Sequence, residues 1–98
     1  MSDLLASVAS PAELGQLIGG CLSDVPGVER VLVSTGDHTT HIWSIVNNLS
    51  HDALYRVYAC EDALLDRFPG LPLELHVVDR RDAPADNLIP GAITVFGK

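Results

Sequence analysis

Lysine is nearly absent from this 98-residue chain: the only one is Lys98. That removes an internal lysine for a Schiff base and the lysine of a phosphate-binding P-loop. Basic charge is scarce altogether, with six Lys and Arg against thirteen Asp and Glu and a formal net charge of −7. A general nucleic-acid binder needs a basic face to displace counterions, and an anionic membrane selects the same feature. Neither nucleic acid nor membrane is therefore an expected partner. No run approaches the ~20 apolar residues of a spanning helix. Cysteine is limited to Cys21 and Cys60, with no Cys-x-x-Cys. The opening Met1-Ser2-Asp3-Leu4 has neither the basic stretch nor the apolar run of a signal peptide. A cytoplasmic location with two reduced, buried thiols is the expectation. Gly-x-Ser-x-Gly, Gly-x-Gly-x-x-Gly, His-Glu-x-x-His and the EF-hand loop are all missing, so no catalytic activity is marked by a motif.

What is present describes one α+β domain spanning residues 1–98. Apolar residues make up 47% of the chain, enough for a core in a domain of this size. Leu4 to Ala9 suits a short opening helix. Ser10-Pro11-Ala12-Glu13 then combines a capping serine, a proline at the first helical position and a glutamate that can reach back. Leu14, Leu17, Ile18, Cys21, Leu22 and Val25 follow as one apolar stripe, and Pro26-Gly27 ends the helix. Gly15, Gly19 and Gly20 weaken it, which points to close backbone packing or to support from tertiary contacts. Val28–Ser34 and Thr40–Val46 read as a β-hairpin with a loop of three to five residues. Ser50 caps a long helix running to about Phe68, in which Asp52 and Arg56 are spaced to pair. Leu73–Val78 and Ala92–Phe96 are strands separated by a polar loop. The order α-β-β-α-β-β predicts a two-layer, ferredoxin-like plait. Its helices lie on one face of a mainly antiparallel sheet, with the first strand between the second and third.

Two helices cover one face, yet the strands are apolar on both. Val31 and Val33 oppose Leu32, and Trp43 and Ile45 oppose Ile42 and Val46. Something must cover the second face. A second copy of the chain is the simplest candidate, which makes a homodimer the expected assembly. The N-terminal segment or the Asp79–Gly91 loop is the alternative cover.

A few residues break local rules. Glu61 stands at the centre of the stripe Leu54, Val57, Tyr58, Leu64, Leu65 and Phe68. It is either a carboxylate of raised pKa, usable as an acid, base or metal ligand, or a structural group satisfied by neighbours. His38, His41, His51 and His76 are the possible metal ligands. His38 and His41 would face opposite sides of a regular strand. His76, between Leu75 and Val77, reads as a satisfied sheet histidine or, with His41, as a ligand candidate for zinc or another divalent metal, with Glu61 as a catalytic partner. Arg80 and Arg81 can grip a small anion or pair with Asp79, Asp82 and Asp86. Trp43 belongs to an interface or to the core.

Val25-Pro26-Gly27-Val28, the strands through His41-Ile42-Trp43, and Arg67-Phe68-Pro69-Gly70 before Leu75-His76-Val77 carry a resemblance. Over about Leu14 to Val78 the chain resembles the cytoplasmic C-terminal domain of cation-diffusion-facilitator transporters. The resemblance implies an α-β-β-α-β plait that dimerises and can bind metal. Here a last strand is added, no spanning segment lies within the 98 residues, and only His41 and His76 match as ligands, so transport is not implied. The stretch from Leu54-Tyr55-Arg56 to Asp79-Arg80 also resembles small uncharacterised bacterial proteins, which bring no activity with them. The functions these features suggest are a binding or regulatory module acting as a homodimer, a small enzyme or metal protein using Glu61 with His41 or His76, and an accessory subunit of a larger complex.

Overall fold

Ser10 starts the first helix as its side chain dictates. Its Oγ accepts the Glu13 N–H at 3.2 Å and its own N–H donates to Glu13 Oε1 at 2.9 Å. These bonds hold the Glu13 carboxyl below its ordinary pKa. The computed structural model describes residues 10–84 and 88–98. The opening helix expected over Leu4–Ala9 lies outside the described residues.

Helix α1 spans Pro11–Leu22 and buries Leu14, Ile18 and Leu22. It stops one turn short of Val25, which is nonetheless buried. Strands β1 (Val28–Gly36) and β2 (Thr39–Val46) form the hairpin. Its loop is two residues rather than three to five. Asp37 and His38 both have positive φ, 53° and 63°, as a turn matching the strand twist requires. Helix α2 (His51–Arg67) is capped by Ser50, whose Oγ accepts the Ala53 N–H at 3.1 Å. Strands β3 (Leu73–Asp79) and β4 (Ile93–Gly97) complete the fold.

The sheet is mixed, in the order β3-β2-β1-β4. β1 is antiparallel to β2 and β4, while β2 and β3 are parallel neighbours. The second and third strands run parallel, as a helical crossover between them predicts, but they are direct neighbours: the first strand does not lie between them as the ferredoxin-like plait requires. The cause is occupancy: β4 takes the outer edge of β1, which leaves β3 the outer edge of β2.

Both helices contribute to the single large core on one side of the sheet, where Leu14, Ile18, Val57 and Leu64 meet Val31, Val33, Ile42 and Val46. A bulge at Val95 lets both Val95 and Phe96 reach α1 against Gly15 and Gly19. The buried face of α2 is Ala53, Val57, Cys60, Glu61 and Leu64, so Tyr58 and Leu65 of the expected stripe stand outside it. Arg56 pairs with Asp24 at 3.1 Å rather than with Asp52.

The cysteines are not free thiols. Cys21 and Cys60 form a disulfide between the two helices, with Cα atoms 5.9 Å apart, and no free cysteine exists. On the helix-free face Leu32 and Ile45 are 7% and 0% exposed within one chain. These two side chains are covered by the chain itself. The connection from β3 to β4 joins opposite edges of the sheet, and its Leu88 and Ile89 are half-buried. No helix among the described residues is long and apolar enough to cross a membrane.

Candidate metal centre

Strand alternation decides where each side chain goes. Ile42 of β2 is 1% exposed and Leu75 of β3 packs on the core, so both point at the helices. Their neighbours His41, Trp43, Glu74 and His76 must point the other way. Parallel pairing then sets His41 beside Glu74 and Trp43 beside His76. His76 is one step diagonal from His41. The result is a cluster on the helix-free face, assembled from the middle of a central strand and the middle of an edge strand.

The geometry of the cluster is tight. His41 Nδ1 and His76 Nε2 are 3.0 Å apart. One donor atom from each of His41, Glu74 and His76 falls within 4.8 Å of the others. The histidines are half-buried and Glu74 is exposed, so solvent reaches the site from the carboxylate side. Trp43 stacks on the His76 ring with centroids 4.0 Å apart and planes 17° from parallel. It also lies 5.9 Å from the His41 ring. Its own Nε1–H donates to Ser34 Oγ at 3.0 Å, which fixes the indole in place. Trp43 is half-buried outside the core and lies flat against the His76 ring.

These donors suit a particular ion. Histidine nitrogens bind zinc at about 2.0–2.1 Å, so two of them around a tetrahedral ion stand about 3.3 Å apart, and around an octahedral ion about 2.9 Å. The observed 3.0 Å lies between these separations. Two imidazoles and one carboxylate favour zinc or another divalent transition metal over calcium or magnesium, which prefer all-oxygen shells. Three protein ligands leave at least one position open for water or another donor.

The other expected site residues lie elsewhere. Glu61 is on the helix side of the sheet, in the buried face of α2, and does not meet His41 or His76. It is 9% exposed, and its Oε2 has no hydrogen-bond partner. Burial, with a smaller contribution from the neighbouring Asp62, pushes its carboxyl up to about 7. Ser44, on the same side, is fully buried with its Oγ also unpartnered. His38 is exposed at the hairpin tip and His51 at the start of α2. Arg80 pairs bidentately with Glu29, at 2.7 and 2.9 Å. Arg81 is exposed, and its main-chain N–H donates to Asp79 Oδ1 at 3.0 Å. Asp86 lies outside the described residues.

Comparison with family models, curated proteins and solved structures finds no match. Function must be argued from the site itself. Glu74 is the member that sequence reasoning missed. Along the strand it is an ordinary exposed alternate residue, and it becomes a ligand candidate only through in-register parallel pairing with His41.

Proposed function

We propose that this chain is a metal-binding module whose helix-free face holds one divalent transition ion, zinc foremost. His41 Nδ1, His76 Nε2 and the Glu74 carboxylate are the ligands. The observation that carries the reading is the 3.0 Å approach of two ring nitrogens with a carboxylate in the same cluster. Trp43 supports it by holding His76 in orientation, as outer groups commonly do for ligating histidines. The resemblance to transporter C-terminal domains points to the same ligand class. Among the described residues Glu61, the expected catalytic partner, lies across the sheet from the trio. A binding or regulatory role therefore fits better than catalysis.

Self-association draws support from a different place than the sheet. On α2, Tyr55, Tyr58 and Leu65 are 71%, 47% and 42% exposed along one side, an apolar surface for a second copy or another protein. Location bears on the disulfide: an oxidising compartment preserves a Cys21–Cys60 bond, whereas the cytoplasm proposed from the sequence would hold the pair as two thiols.

Calorimetric titration of zinc into the purified chain tests the proposal. One ion per chain is expected. His41→Ala and His76→Ala should each weaken binding by about 100-fold, and Glu74→Gln by about 10-fold. Glu61→Gln should leave it unchanged. Binding that survives both histidine substitutions would refute the site.

A further inference from the structure

A groove lies at the far end of the β1–β4 pair, away from the histidines. It is an open groove of about 540 Å³, lined by Val28, Glu29, Arg30, Arg80, Thr94, Gly97 and Lys98. Three of the chain's six basic residues therefore meet in one place, in a molecule of net charge −7. That concentration runs against the overall charge and singles the groove out.

The way each cation is held matters. A bulge at Glu29 shifts the β1–β2 register, so that Arg30 pairs with Ile45. Arg30 then shares the face of Leu32, which β4 matches with Thr94. Arg80 follows β3, donates its N–H to Val46 O at 2.9 Å, and extends its guanidinium to Glu29 on β1. A third contact, Nη1 to Ala83 O at 2.6 Å, completes its clamp. Lys98 Nζ donates to Val25 O at 2.6 Å, and the Lys98 N–H donates to Glu29 O at 2.9 Å. Both side chains are thus fixed with donors to spare: two N–H groups on Arg80 and two on the Lys98 ammonium.

The charges balance as follows. Glu29 neutralises Arg80, and Asp82 and Asp79 lie near enough to act on Arg80 as well. Among the residues that line the groove, Glu29 is the one carboxylate against Arg30, Arg80 and Lys98, and it acts on Arg30 as well as on Arg80. Two positive charges, a threonine hydroxyl and spare guanidinium donors match a small oxyanion of charge two.

We propose that this groove binds a small molecule through a doubly charged oxyanion, either a phosphate group or a pair of carboxylates. The groove has room beyond phosphate itself, so the anion can be one end of a larger ligand. The proposal is independent of the metal site, which lies further along the same face.

The test is an amide chemical-shift titration of the metal-free, 98-residue chain at pH 7.5 and constant ionic strength. Inorganic phosphate and succinate are the two probes, with sodium chloride as control. Saturable shifts at Glu29, Arg30, Arg80, Thr94 and Gly97 are expected with one or both probes. The stronger probe assigns the phosphate or carboxylate source. Arg30→Gln and Lys98→Gln should each weaken binding roughly ten-fold, with an otherwise unchanged spectrum confirming the fold. Arg67→Gln, at the end of α2, should bind as the parent does. Shifts reproduced by chloride, or an Arg30→Gln chain that binds both probes normally, would overturn the assignment.

Discussion

Glu61 is the residue that costs this fold something. It is buried in the face of α2 with one carboxylate oxygen unpartnered, and its carboxyl is pushed from 4.5 up to about 7. The folded chain therefore keeps a proton that the unfolded chain releases between those two values. Stability must fall as pH rises across that window and level off above it. Glu61→Gln removes the titration. The substituted chain should match the parent near pH 4.5 and exceed it by on the order of 2 kcal/mol at pH 8, read by urea unfolding at both pH values. A parent whose stability does not drop between pH 4.5 and 8 would show that the carboxylate finds a partner after all. The anomaly was legible in the sequence, as a carboxylate in an apolar stripe. Its separation from the histidines was not, because helical spacing does not say which face of the sheet a strand residue takes. The two histidines were legible as residue types, and Trp43 as an unusual neighbour.

At the scale of elements, α1 shows why three glycines are tolerated in a helix. A Cβ on Gly19 would meet Phe96 Cγ at 2.5 Å and Cβ at 2.7 Å, whereas one on Gly20 would meet nothing within 4 Å. Gly19→Ala should therefore destabilise by about 1–3 kcal/mol through overpacking. Gly20→Ala should stabilise by roughly 0.5–1 kcal/mol through helix propensity and reduced freedom of the unfolded chain. Thermal unfolding of the two variants separates these signs, and stabilisation by both would contradict the packing described. The caps at Ser10 and Ser50, the paired strands and the long helix all follow from local chemistry. The buried face of α2 did not, because Ala53 and Cys60 are less conspicuous than Tyr58 and Leu65, although they are the residues the core accepts. The two-residue turn was also hidden, since Asp37 and His38 adopt positive φ without a glycine between them.

For the whole molecule, the deciding feature is the order of strands. Periodicity reports which residues share a face, not which strand lies beside which. Placing β3 against β2, in parallel and in register, is what brings Glu74 beside His41 and His76 close to it. The same topology places a buried carboxylate on one side of the sheet and the histidine cluster on the other. Leu32 and Ile45, part of the apolar pattern that suggested pairing, are buried within one chain. The metal reading rests on this arrangement and can be checked directly. In crystals grown with zinc, anomalous scattering recorded at the zinc edge should show one peak about 2.0–2.2 Å from His41 Nδ1, His76 Nε2 and a Glu74 oxygen. A map with no peak between β2 and β3, or with zinc bound only at His38 or His51, would contradict the account.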